Sequence, residues 1–349
     1  MDSITVATAQ QQMRLFDSPD DHRRELGRFM QVAAAKGAQI VVFPALSGVL
    51  AASPLLAGFR MRLLKRAGGG RRQTSLLDRT RKALAGSTAD LLKASFRQPY
   101  DALLAAEPEA VAGAHAAIFQ ELAKTYSMTV VAGSAYLPAE DGTFRHSVLL
   151  FGPDGALLGR HDAVLLAPDE ETWIQPGRGW SAIETSIGRI GVLFGGEVLY
   201  PEVGRGLMDQ GAELLAVVCA TSDDVFAAEI RLAAVARAQE NRCFALTSFA
   251  VGPDYLAAHE DGAAVLAGRS GIYAPLELTP RYSGALVEMG AGGAEGLLTV
   301  ELNGPALADL RERQPLRLDR VAALASSDAA LSLPEEGEMG AQDLLETGD

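Results

Sequence analysis

Short, unbroken apolar runs separated by longer stretches of helical periodicity constrain the fold of this chain more than any other feature. Residues 4–9, 39–44, 129–133, 147–151, 190–194, 214–219, 243–249 and 297–302 are apolar almost throughout. A strand with one wet face alternates apolar and polar residues, so continuous runs of this length predict strands covered on both sides. Helical periodicity fills the gaps, notably over residues 20–36, 109–126 and 227–241. The first of these helices has Ser18 and Asp20 as candidate N-caps, Pro19 between them and Gly37 to end it. The expectation is a layered α/β fold with sheet inside and helices outside.

Composition narrows the class of protein. A chain of 349 residues that is 48% hydrophobic can bury one large core or two smaller ones. Its two cysteines, Cys219 and Cys243, are too few for a disulfide framework or a thiolate metal cluster, so neither a metal nor another cofactor is expected. The N-terminus enters a strand-like run without a basic and apolar leader, and no stretch of about 18 uncharged apolar residues follows. A cytoplasmic protein is therefore expected. The net charge of −13 argues against nucleic acid as a partner, because phosphate contacts need clustered cations.

Two segments stand apart from the main domain, which is read as residues 1–320. Residues 49–100 look like a helical insertion, and residues 321–349 like an acidic, solvated tail. Residues 60–82 of the insertion carry nine basic side chains against the single acid Asp78. Arg60, Arg62, Lys65 and Arg66 alternate with bulky apolar residues, and Arg71 and Arg72 follow a run of three glycines. That mixture suits contact with an anionic membrane surface or an acidic protein partner, which would make the protein peripheral to the membrane. A solvated hairpin, or pairing with the chain's own acidic tail, explains the same composition.

Six motifs in order carry more information than composition. Gly37-Ala38-Gln39-Ile40-Val41-Val42-Phe43-Pro44 leads to Ala45, and Phe151-Gly152-Pro153-Asp154-Gly155 leads through Gly159-Arg160-His161-Asp162 to Ala163. Gly188-Arg189-Ile190-Gly191-Val192-Leu193-Phe194 leads to Gly195-Gly196-Glu197, followed by Tyr200-Pro201-Glu202 and Arg205. Gly211-Ala212-Glu213-Leu214-Leu215, Arg237-Ala238-Gln239-Glu240-Asn241 and Gly268-Arg269-Ser270-Gly271-Ile272-Tyr273-Ala274-Pro275 complete the series. Together they resemble the nitrilase superfamily of carbon-nitrogen hydrolases over about residues 4–320. The resemblance implies an α-β-β-α sandwich, hydrolysis of non-peptide C–N bonds, and assembly into homo-dimers or larger oligomers. It also implies a catalytic Glu, Lys and Cys at the positions held here by Ala45, Ala163 and Gly195.

Each missing group has a distinct chemical task. In the family's acyl transfer a thiolate attacks carbon, a carboxylate moves protons and a cation stabilises developing charge. No lysine follows Lys124, and no acid lies between Glu25 and Asp78, so a shifted alignment supplies neither group; Arg160 or His161 could donate positive charge nearby, although Arg160 reads as a solvent-facing turn residue. The resemblance places one retained glutamate at Glu171, with Glu170 and Asp169 as competitors. Cys219, at the end of a strand, is the one candidate replacement nucleophile, although the acids that follow it would raise rather than lower its pKa. Glycine permits close backbone approach, so Gly195, Gly196 and Glu197 are candidate ligand contacts. Glu202, Arg237, Glu240, Asn241 and Cys243 are read as scaffold. The leading expectation is a pseudoenzyme that binds, scaffolds or regulates; the alternative is an amide hydrolase rebuilt around Cys219 and Glu171.

Overall fold

In the computed structural model, which describes residues 2–56, 59, 96–257, 264–290 and 293–316, the chain forms two compact units. The first spans Met1–Leu307 and the second Ala308–Asp349. Of the second, only residues 308–316 are described, and residues 308–313 of these are helical. Residues 60–95, which hold the whole basic segment from Arg60 to Lys82, and the tail 321–349 lie outside the described residues.

The first unit is built from strands β1 (Ile4–Gln12), β2 (Ile40–Val42), β3 (Thr129–Val131), β4 (Ala135–Pro138), β5 (Phe144–Phe151) and β6 (Leu157–Asp162), followed by β7 (Ala182–Thr185), β8 (Gly188–Phe194), β9 (Leu214–Cys219) and β10 (Phe244–Pro253). Short strands β11 (Val265–Leu266), β12 (Gly271–Tyr273) and β13 (Ala285–Glu288) precede β14 (Gly296–Leu302). The main path of pairing runs β4-β5-β3-β2-β1-β10-β9-β8-β7, with β14 antiparallel to β1 and β12 antiparallel to β10. Only the last residues of β1, Gln11 and Gln12, pair with β10, and this narrow junction lets the path fold into two faces.

Alternation along the strands assigns every side chain to a layer. Ile40 and Val42 of β2 share one core with Leu214, Ala216 and Val218 of β9, which is the layer between the two faces. Val41 and Phe43 point instead toward α1 (Pro19–Ala35) and α3 (Pro108–Tyr126). Leu215, Val217 and Cys219 point the other way from their neighbours, toward α4 (Pro201–Asp209) and α5 (Asp224–Asn241). The result is the expected α-β-β-α sandwich, and the continuous apolar runs are strands covered on both sides.

Local signals explain the helix ends. Ser18 caps α1 by accepting from the Asp21 N–H, and Gly37 turns the chain out of the helix at a φ of 72°. Asp223 caps α5 by accepting from the Val225 and Phe226 N–H groups. Both ends of the expected insertion, residues 49–100, lie among the described residues. Val49, Leu50 and Leu56, and on the far side Phe96 and Tyr100, the N-cap and a residue of α2 (Arg97–Ala106), are all buried core residues. Their apolar side chains are buried in the same layer that holds α1 and α3.

Candidate functional site: a cavity at the strand ends

A cavity of about 540 Å³ opens where β2, β6, β8 and β9 end, and Ala45, Ala163 and Gly195 all line it. Carboxyl ends of parallel strands are where open sheets place ligands, because the chain leaves the sheet there in alternating directions. Ala45 and Ala163 are almost fully buried and belong to the inner layer, with Phe194, Val218 and Ala220 beside them in the cavity wall. The floor is therefore methyl groups, glycine backbone and one ring, with no carboxylate, ammonium or thiol.

The neighbours have closed in on one of these positions. A Cβ added at Gly195 would lie 2.8 Å from Ile230 Cδ1 and 3.6 Å from Cys219 Sγ. Ile230 of α5 thus occupies part of the volume that a side chain at Gly195 would need. Beyond Ala45, Leu46 adopts a φ of 63°, a left-handed conformation that costs a non-glycine residue on the order of 1 kcal/mol. Its N–H is held by Ser134 Oγ at 2.8 Å.

Three expected site residues are placed differently from the sequence reading. Cys219 lies against Gly195 but points into the outer layer, is 1% exposed, and is absent from the cavity wall. Burial pushes its thiol pKa up, the opposite of what a nucleophile needs. Glu171 is exposed and outside the cavity, whereas Glu170, its neighbour in the 3-10 turn Glu170–Thr172, is buried and lines it. One residue of turn places the two carboxylates on opposite sides. Gly195 and Gly196 line the cavity, but Glu197 is fully buried behind it. Its carboxylate accepts from the N–H groups of Phe194 and Val164, both at 2.8 Å, and contacts His161 Nε2 at 2.9 Å. Glu197 is thus a clamp between the ends of β6 and β8.

A polar chain that no motif announced runs along one wall. Ser134 Oγ lies 2.7 Å from His146 Nε2, His146 Nδ1 lies 2.8 Å from Glu170 Oε1, and Tyr136 OH donates to the same oxygen at 2.8 Å. Ala167 N–H donates to Glu170 Oε2 at 3.0 Å. Burial alone would raise the Glu170 pKa, but His146 and these hydrogen bonds outweigh it and hold the carboxyl at about 2. The chain is strung between Ala45 and Ala163: Ser134 Oγ accepts from the N–H of Leu46, the residue after Ala45, and the His146 carbonyl accepts from Ala163 N–H at 2.8 Å. Antiparallel pairing of β4 and β5 sets Tyr136 opposite His146, and pairing of that kind leaves no local signature in sequence.

The remaining polar groups of the wall are more exposed. Arg97 sits with its guanidinium 4.9 Å from the Trp173 ring centre, donates to Asp101 and reaches the Leu256 carbonyl at 3.3 Å. Asp254 caps its own loop by accepting from Leu256 and Ala257 N–H groups. No group of three or more metal-ligating side chains is present among the described residues.

Comparison with known proteins places this geometry in context. A family model described as carbon-nitrogen hydrolase matches residues 5–279. Omega-amidase NIT2-A of Xenopus laevis is 27% identical over 249 residues, 68% of this chain and 84% of the relative. A deaminated glutathione amidase of Synechocystis sp. is 26% identical over 225 residues, 61% of this chain and 78% of its own. Among solved structures, Nit3 of Saccharomyces cerevisiae, described as a member of branch 10 of the nitrilase superfamily, superposes with a TM-score of 0.62 at 17% identity, covering 91% of this chain and 97% of the other. A double mutant of the amidase from Nesterenkonia sp. AN1 in complex with acrylamide gives 0.60 at 18%, covering 92% and 96%.

Proposed function

Because the chain belongs to the carbon-nitrogen hydrolase family, we propose that it uses the family's cavity to bind a small molecule without the family's Glu-Lys-Cys chemistry. The observation that carries this reading is that Ala45, Ala163 and Gly195, on three separate strand ends, line one cavity together. Acyl transfer needs a nucleophile, a proton carrier and a charge stabiliser around one carbon atom, and the floor offers none of them. The nearest thiol, Cys219, is buried and turned away.

A screen of amides, nitriles and N-carbamoyl compounds for ammonia release tests the reading. No turnover is expected, together with a ligand-dependent rise in melting temperature for any compound that binds. Turnover that Cys219→Ser abolishes would overturn it and restore a cysteine-dependent mechanism.

Hydrolysis is the second reading, and the relatives named as amidases favour it. Its one structural support is the order Ser134, His146, Glu170, which is that of a nucleophile, base and acid relay. In that mechanism Ser134 Oγ would attack the acyl carbon, pass its proton to His146 Nε2 and expel the amine, which takes the proton. Ser134 is fully buried and does not line the cavity, which is why this reading stands second. Turnover lost in Ser134→Ala but kept in Cys219→Ser would promote it.

Two proposals concern partners. Homo-oligomerisation rests on the family resemblance and is tested by light scattering. Peripheral contact with anionic membrane or an acidic protein rests on the composition of residues 60–82. Among the described residues no helix is long and apolar enough to span a bilayer, so any membrane contact through helices there would be at the surface. Co-sedimentation with phosphatidylserine vesicles at low and high salt tests it; absence of binding at low salt would remove the idea.

A further inference from the structure

Most of the cavity lining is apolar, and its buried polar side chains Tyr136, His146 and Glu170 are bonded to one another. Tyr136 spends its hydroxyl proton on Glu170, and both ring nitrogens of His146 are engaged, one by Glu170 and one by Ser134. What these residues turn toward the cavity is ring surface. Tyr136 and His146 stand 4.6 Å apart between ring centres, and His146 and Phe194 stand 4.5 Å apart. Trp173 braces Tyr136 from behind at 4.5 Å and carries Arg97 on its face. Phe226 also lines the cavity, its Cζ 3.7 Å from where a Cβ on Gly196 would stand. The floor between these rings is Ala45, Ala163 and Gly195.

We propose that the cavity takes a neutral, planar aromatic compound, with its ring system on the floor vacated by polar side chains and its polar head toward Arg97 and Tyr200. The inference rests on the ligand-binding reading above and names the class of ligand. A charged group on that floor would lose its hydration without gaining a partner, whereas a ring gains edge and face contacts with Tyr136, His146, Phe194 and Phe226. The polar head is placed by exposure: Tyr200 is 52% exposed and Arg97 is only partly buried, so the wet end of the cavity lies there. Removing a carboxylate, an ammonium and a thiol from one floor changes what the cavity prefers, from a reacting amide to an apolar ring.

The test uses 2-naphthamide and its saturated counterpart, decahydronaphthalene-2-carboxamide, which share a head group and differ in planarity. Ligand-observed NMR titration of the full chain is expected to show naphthamide binding roughly tenfold more tightly, the upper range for aromatic pairing beyond area burial. Phe226→Leu keeps an apolar side chain and removes one ring, and should shrink that preference severalfold. Ala163→Lys puts an ammonium on the floor and should abolish binding of both compounds in a variant whose circular dichroism matches the parent. Equal affinity for the two compounds, or no binding of either, would overturn the proposal. Ammonia released from 2-naphthamide would sink the non-catalytic reading while leaving the ligand class standing, so the two failures are distinguishable.

Discussion

Acidification from pH 7 to pH 5 is expected to destabilise the fold by about 4 kcal/mol through two histidines far from any solvent. His22 on α1 is fully buried, stacks on Phe16 at 4.6 Å between ring centres, and finds no hydrogen-bond partner for either ring nitrogen among the described residues. Burial first, and the nearby His115 second, lower its pKa to about 3. His115 on α3 gives one nitrogen to the Gly133 carbonyl at 2.7 Å, and the other has no partner among the described residues. Burial lowers its pKa to about 4, against the opposing effect of that hydrogen bond. In both cases the unfolded chain binds a proton that the folded chain refuses. The stability contribution is therefore complete above about pH 6.5 and is lost as the pH falls below it. Each residue contributes about 0.2 kcal/mol of proton-linked destabilisation at pH 7 and about 2 kcal/mol at pH 5. Urea unfolding followed by circular dichroism at the two pH values measures the sum. His22→Leu has nothing to protonate at that position, so its pH 7 to pH 5 loss should fall to about half the parent's. An unchanged loss in that variant would refute the reasoning, because it would mean that His22 is protonated without cost in the fold.

Glu170 makes the opposite prediction at lower pH. Its folded pKa lies near 2 against an ordinary 4.5, so its contribution is present above 4.5 and lost as the pH falls toward 2; Glu170→Gln should lose about 2 kcal/mol less than the parent between pH 6 and pH 3, read from urea midpoints. Gly195→Cys should restore no activity and should cost on the order of 1–3 kcal/mol, because the new Cβ meets Ile230 Cδ1; Ile230→Val in the same chain should return part of that loss in a thermal melt. Glu197→Ala leaves the buried Phe194 N–H, the part-buried Val164 N–H and His161 without their acceptor, and a loss of about 3 kcal/mol or more is expected in the same assay, where a change under about 1 kcal/mol would contradict its role as a clamp. Gly48→Ala forces a methyl to within 2.3 Å of the Gly133 carbonyl oxygen and 2.4 Å of His115, and should unfold the chain or shift its melting point down by many degrees.

The sequence by itself marked eight of the fourteen strands among the described residues, and it established that Ala45, Ala163 and Gly195 carry no reactive side chain. Runs such as residues 214–219 cannot present a polar face, so they must be covered on both sides wherever they pair. The absence of any lysine after Lys124 is a fact of composition that no arrangement can reverse. Only the tertiary structure decided which way the remaining groups point. Cys219 and Val218 are adjacent in sequence, yet the pairing of β9 with β8 and β10 turns one into the outer layer and the other into the cavity. Glu170 and Glu171 are separated by one step of a 3-10 turn, and hydrogen bonds from Tyr136 and Ala167, with His146 beside it, hold the first of them inward. Ser134, Tyr136 and His146 meet because β4 lies antiparallel to β5, and their partner Glu170 arrives from a turn 24 residues after His146. Alternation along a strand is written locally, but the face that becomes a cavity wall depends on register with strands distant in sequence. The sequence places Ala45, Ala163 and Gly195 just beyond three strands; the packing of layers decides what surrounds them.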